Sequence, residues 1–258
     1  MNTKYYSNCG TETIDAALPD GIPLLIFDPG CGVSNACHKT LVASGITVHL
    51  LQPGHLGGFG QPEQHGWDLL ADLPLIDGAL IKKAKTVADA LIPSHTASDL
   101  LAREIFEHVL LFTVDTGWFR DFAEMCNWLA SGFLRNLILF WHSVHQDHPE
   151  ILYLAALPGN DTEWKAAEAV LTKRLCILQS PVVAMRFCRP GFLLSSLRAE
   201  PRQVVFLAPG MRDLMDSEMM ALYQFLFRIM SNLAELNGTP FHRLVPECEQ
   251  ELVMQSEC

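Results

Sequence analysis

Long hydrophobic runs are missing from this sequence. The most apolar stretch, residues 132–141, is interrupted by Arg135 and is far shorter than the ~20 residues a membrane-spanning helix needs. Residues 1–10 hold no apolar core of a secretory leader, so the expected location is the cytoplasm, with no membrane partner. Positive charge is scarce. The 18 Lys+Arg face 29 Asp+Glu, for a net charge of −11. That is the wrong sign for a phosphate backbone and excludes nucleic acid as an expected partner. No C-x-x-C pair occurs among the eight cysteines, at 9, 31, 37, 126, 176, 188, 248 and 258. Their irregular spacing favours reduced thiols used as core filler over a disulfide framework. Internal repeats, low-complexity tracts and linkers are also absent, so one domain is expected over 1–258. What is present is ample apolar material: 49% of residues are hydrophobic and 18% charged, which excludes a disordered chain.

Residues 1–20 show no clean period and read as an N-terminal arm or cap. Residues 23–27 form a continuous apolar run closed by the turn formers Asp28-Pro29-Gly30-Cys31-Gly32, the pattern of a buried strand ending in a sharp turn. Residues 34–44 read as a helix stopped by Gly45, and 46–51 as the next strand. Strand, glycine turn, helix and strand make a βαβ unit, the opening of a nucleotide-binding α/β fold. Residues 52–66, with five glycines and two prolines, form a long loop. Helical patterns at 67–92, 97–107, 119–144, 163–178 and 219–236 alternate with strand-like runs at 108–114, 150–156, 182–187 and 241–245. The alternation predicts an α/β fold with a single Rossmann-like, doubly wound parallel sheet in three layers, α/β/α. The acidic tail at 247–258 reads as solvated, or as an arm on a neighbour.

The order of these elements resembles the short-chain dehydrogenase/reductase family over about 23–246. Residues 26–48 are similar to its first βαβ unit, 121–141 to its long central helix, 151–191 to its catalytic strand, active-site helix and Pro-Gly turn, and 221–246 to its last helix, turn and strand. The family's glycine pattern, T-G-x-x-x-G-x-G, falls on 27–34. Asp28 stands at the first glycine, Gly32 at the second and Ser34 at the third, with Gly30 between. Those glycines let backbone approach a pyrophosphate at a helix N-terminus. A carboxylate facing the phosphates at ~4 Å, with an effective dielectric of ~20, costs about 4 kcal/mol, roughly three decades in affinity. Gln52 stands where the family often places an acid for the ribose.

The family's catalytic Tyr-x-x-x-Lys falls on Trp164 and Glu168, and its serine near Ala155 and Ala156. An indole N–H does not titrate usefully, Glu168 has the opposite charge from the lysine, and alanine polarises nothing. The resemblance therefore implies a degenerate turn (Asp28, Gly30, Gly32, Ser34, Gln52) and a degenerate cleft (Trp164, Glu168, Ala155, Ala156), with no catalytic residue, no cofactor and no metal in this chain. His142, His145 and His148 spread over more than one side of a helix end and read as surface residues rather than metal ligands. His38 and His49 read as ordinary polar residues. The helix at 119–144 is apolar nearly all round, which suits a buried subunit interface.

The function so implied is a non-catalytic subunit in a hetero-oligomer. It pairs through helices 119–144 and 163–178 with an active, NAD-dependent dehydrogenase paralogue. Its likeness is to heteromeric dehydrogenases such as those acting on a hydroxyacyl-CoA in anaerobic aromatic degradation. Two alternatives stay open: an active oxidoreductase with unorthodox residues, and a regulatory module sensing a nucleotide or metabolite.

Overall fold

The computed structural model describes residues 2–6, 10–18, 22–55, 65–73, 79–93, 95–188, 191–197, 202–238 and 241–246. Where the sequence reads as one domain, the contacts fall into two compact units, residues 1–67 with 189–258, and residues 68–188. The chain begins in the first with β1 (Asn2–Tyr6), α1 (Thr11–Ala17), β2 (Leu24–Phe27), α2 (Gly32–Ala43) and β3 (Thr47–Leu51). The second holds α3 (Leu80–Leu91), α4 (Ala97–Thr116), α5 (Phe122–Leu129), α6 (Leu134–Val144), α7 (Pro149–Ala156), α8 (Asp161–Leu175) and α9 (Pro181–Ala184). The chain then returns with β4 (Gln203–Leu207), α10 (Met211–Leu214), α11 (Ser217–Leu236) and β5 (His242–Pro246).

The sheet has five parallel strands in the order β1-β5-β2-β4-β3. Parallel strands need covered faces, and β2, β3, β4 and β5 are almost wholly buried. Because side chains alternate along a strand, Leu24 and Ile26 of β2, Val48 and Leu50 of β3, and Val204 and Phe206 of β4 share one face. They pack there with Ile14 of α1 and with Cys37 and Leu41 of α2. Phe27 belongs to the other face and meets Phe227 of α11 edge-on at 6.1 Å. The same face carries His49, whose Nε2 lies 2.8 Å from Gln203 Oε1 on the neighbouring strand.

The strand order corrects the Rossmann expectation. In the doubly wound order the two strands of the first βαβ unit are neighbours. Here β2 and β3 both pair with β4, which lies between them. The N-terminal arm is also corrected, since 2–6 is an edge strand on β5 and 11–17 is a helix. The acidic tail lies outside the described residues.

The run at 108–114 is not a strand. It is the interior of the 20-residue helix α4, which begins at a capping box formed by Thr96 and Asp99 and ends at Gly117 in the left-handed region. Val109, Leu110 and Phe112 are fully buried, so the helix is apolar on several sides and loses its amphipathic signature. Nor is 150–156 a strand. Pro149 opens α7 at its first turn and His148 Nδ1 accepts from the Glu150 amide, a helix start. Residues 182–187 likewise follow Pro181 into a short helix and turn. The single long helix expected at 119–144 is two, α5 and α6, parted where Gly132 takes φ +77°. Much of its apolar surface is spent inside its own unit, with α5 on α8 and α4, and α6 on α7. Among the described residues no helix is long and apolar enough to cross a membrane.

Candidate functional site

At the C-terminal ends of β2, β3 and β4 lie Asp28, Gln52 and, beyond β4, Asp213, all buried. Ligand sites in open α/β sheets form at this edge. The turn after β2 is pinned to the end of β4. The Asp28 amide donates to Leu207 O at 2.8 Å and the Gly30 amide to Pro209 O at 2.8 Å. The Cys31 thiol donates to Ala208 O at 3.4 Å. Gly30 adopts φ +79° and Cys31 φ +61°. For cysteine that conformation costs roughly 1–2 kcal/mol, so the surrounding bonds hold a bend the chain would not choose alone.

Asp28 then turns inward. Its Oδ1 accepts from the Val33 amide at 3.0 Å and its Oδ2 from the Ser34 amide at 2.7 Å, and the residue is only 2% exposed. These are N–H groups in the first turn of α2, which have no intrahelical partner. The N-cap position itself, Cys31, makes no side-chain cap. A carboxylate here also meets the positive end of the helix dipole. Ser34 is buried, and its hydroxyl donates to Cys31 O at 3.4 Å.

Gln52, just beyond β3, closes the far side. Its Nε2 donates to Cys31 Sγ at 2.7 Å and to Ala208 O at 2.9 Å. Burial, with Asp28 next, pushes the Cys31 thiol up to about 11, against the lowering effect of the Gln52 bond. That thiol is protonated at neutral pH and is not a nucleophile. Beside it, Asp213 Oδ2 accepts from Tyr223 Oη at 2.9 Å and from the Gly210 amide at 3.1 Å. Tyr223 is fully buried; burial first, then Asp213, drives its phenol far above the ordinary tyrosine range. Gly54 presses on the same carboxylate, for a Cβ on it would lie 2.3 Å from Asp213 Oδ1.

A phosphate cradle of the form G-x-x-x-x-G-K-[ST] uses backbone amides for the phosphates, a lysine for their charge and a hydroxyl for Mg²⁺. With its second glycine on Gly32, the pattern puts Phe27 at the first glycine, Val33 at the lysine and Ser34 at the hydroxyl. Gly32, at the helix start, and Ser34 match the pattern, and Val33 does not match its lysine. Two of the amides that would face phosphate are bonded to Asp28. Such a catalytic site also takes a metal-holding acid from a strand end, and the end of β4 beside the turn reads Ala208-Pro209. A nucleotide–Mg²⁺ group does not fit these residues as they stand. The sequence suggests a carboxylate facing outward at the turn; in the structure Asp28 folds back and accepts from the Val33 and Ser34 amides. The readable sign was Gly32-x-Ser34 with an acid just upstream of the helix start.

The remaining expected residues belong to the unit 68–188. Trp164 and Glu168 are on α8, and Ala155 and Ala156 are exposed on α7, a helix where a catalytic strand was expected. Arg135 lies over the Trp164 ring at 6.0 Å, its amide donates to Glu168 Oε1 at 3.4 Å, and its guanidinium pairs with Asp161. These residues line a shallow groove of about 170 Å³. An apolar hollow of about 390 Å³ in the same unit is lined by Trp118, Trp128, Phe133, Leu137 and Phe140, with Asn136. Among the described residues no cluster of three His, Cys, Asp or Glu could hold a metal. His148 is instead a helix cap whose Nε2 lies 2.9 Å from Asp115 Oδ2, while His145 meets the Phe112 ring edge-on.

No family model matches the chain, and no curated protein matches it. Solved structures do. One is the plasmid coupling protein TrwB in complex with ADP and Mg²⁺, at 13% identity and TM-score 0.52, covering 93% of this chain and 68% of that one. TrwB in complex with the non-hydrolysable GTP analogue GDPNP matches at 13% identity and TM-score 0.51, covering 93% of this chain and 69% of that one. The bacterial conjugative coupling protein TrwBdeltaN70, in a trigonal form with sulphate, matches at 15% identity and TM-score 0.52, covering 90% of this chain and 57% of that one. At such identity the likeness is one of fold. It overturns the resemblance to short-chain dehydrogenases, as the strand order does. The expected dehydrogenase partner falls with it, together with the NAD and CoA-thioester chemistry that partner was to supply.

Proposed function

We propose that this chain is a non-hydrolysing interaction module built on a coupling-protein-like fold, one that works by contact with partner proteins and not by nucleotide turnover. The fold likeness supports the first half of this reading, as does a three-layer arrangement with α1 and α2 on one face of the sheet and α11 on the other. The observation that carries the second half is Val33 in the lysine position of the turn. A valine supplies neither the charge that binds β- and γ-phosphates nor the charge that stabilises their transfer. The net charge of −11 disfavours nucleic-acid partners. Free thiols at Cys31, Cys37, Cys126, Cys176 and Cys188 support a reducing, cytoplasmic setting.

The test is titration of the purified chain with fluorescent ADP and GDP in Mg²⁺, alongside phosphate release from ATP and GTP. The expected result is neither binding nor release. Saturable binding in the micromolar range, or Mg²⁺-dependent release, overturns the reading. A second reading is favoured by the retained Gly32 and Ser34: a nucleotide-binding module whose Asp28 swings out when ligand arrives. Binding without release in the same titration selects it.

A further inference from the structure

The absence of a lysine would weaken phosphate binding and slow its transfer, but does not by itself empty the turn, because backbone amides alone can hold an anion at a helix start. We infer that Asp28 is the residue that shuts phosphate out: its carboxylate is a built-in occupant of the turn, bonded to the amides an anion would need. The inference deepens the non-hydrolysing reading and rests on it.

Three features carry the argument. Asp28 accepts from two successive amides of α2 with its two oxygens, at 3.0 and 2.7 Å, so both oxygens are used on the helix start. It is anchored from its own backbone, its N–H on Leu207 O and its carbonyl accepting from the Cys31 amide at 3.1 Å. The turn that carries it is in turn fastened to β4 through Gly30, Cys31 and Gln52. A side chain tethered this way competes with any free anion at a high effective concentration, because its ordering entropy is already spent in folding. Charge adds to occupancy. A phosphate that reached Val33 and Ser34 would have to displace a buried carboxylate and sit beside it, a repulsion of some three decades in affinity at about 4 Å.

The experiment uses the full chain in three forms: native, Asp28→Gly and Asp28→Asn. Asp28→Gly empties the turn. Asp28→Asn keeps one acceptor for the helix and removes the charge, so it reads the exclusion even where the glycine variant does not fold. The probe is inorganic pyrophosphate, followed by thermal shift and by the amide NMR signals of Val33 and Ser34. The native protein is expected not to respond. Asp28→Asn, and Asp28→Gly where folded, are expected to bind pyrophosphate at least tenfold more tightly than the native chain, with both amide signals moving. If the native chain is silent and Asp28→Asn is folded but equally silent, the exclusion does not lie in Asp28 and the inference falls, while the non-hydrolysing reading stands. If the native chain itself binds, both fall.

Discussion

The bond between Tyr223 and Asp213 can be tested by removing a single oxygen. Tyr223 is fully buried in α11 and donates to Asp213 Oδ2 at 2.9 Å. Phenylalanine keeps the ring and its packing while leaving the carboxylate one donor short in a place where Asp213 is only 8% exposed. A hydrogen bond to a charged group is worth about 1.5–3 kcal/mol net, and the deserted acceptor has no ready route to water. Tyr223→Phe should therefore cost about 2 kcal/mol, which for a chain of this size lowers Tm by roughly 4–8 °C. Urea melts followed by circular dichroism give the number, and the m-value should not change. Tyr153→Phe is the control. Its hydroxyl bonds Glu104 on the surface, where the residue is 40% exposed, and an exposed pair of this kind contributes about 0–1 kcal/mol. Equal losses from the two substitutions, or a loss below about 0.5 kcal/mol for Tyr223→Phe, would refute the claim that a desolvated, charge-assisted bond holds this edge of the sheet.

Gly54→Ala puts a methyl 2.3 Å from Asp213 Oδ1 and 2.8 Å from Met219 Cε, so it should destabilise by about 1–3 kcal/mol in the same melts. Gly32→Ala, with nothing within 4 Å of the new Cβ, should be close to neutral. In the helical unit, burial lifts the Asp68 carboxyl to about 6, offset in part by the Leu70 and Phe122 amides and reinforced by Asp121 and Asp72. A raised acid keeps its proton in the folded state while the unfolded chain loses it, so stability should fall as pH rises from about 4 to about 6, by on the order of 3 kcal/mol. Asp68→Asn keeps the oxygen that accepts from both amides, and should flatten that slope and raise stability at neutral pH; an unchanged slope would assign the pH dependence to another group.

The sheet's framework was partly legible. The apolar runs before Asp28 and before Gln52, and the helix stopped by Gly45, stand where they were read, because each is bounded by residues that force a turn. The run at 108–114 was misread for a physical reason. A helix buried on several sides and a strand buried on both faces present the same unbroken apolar string, and only the Thr96–Asp99 box upstream separates them. The strand β4 has a legible signal in Val204-Val205-Phe206-Leu207, closed by Pro209-Gly210. Because β4 lies between β2 and β3, the first βαβ unit taken by itself is indistinguishable from a Rossmann one. At the site, Asp28, Ser34 and Gln52 stand out in the sequence as departures from the family pattern, and Gly32 as a match to it. Their arrangement was not readable, since whether a carboxylate faces outward or folds back onto the helix depends on backbone angles at Gly30 and Cys31 that composition does not specify.

The position of β4 also bears on synthesis. Leu24 finds its partner in Val204, and Thr47 in Gln203, so neither early strand has a neighbour on that side until the residues between them and β4 have left the ribosome. Pairings this distant in sequence form slowly and leave unsatisfied edges in the meantime. The helices of 68–188, whose contacts are nearer in sequence, can settle during that wait. The nascent chain is thus most exposed to misassociation before residue 203 emerges, and a stall or truncation upstream of that point should release a fragment that aggregates through β2 and β3.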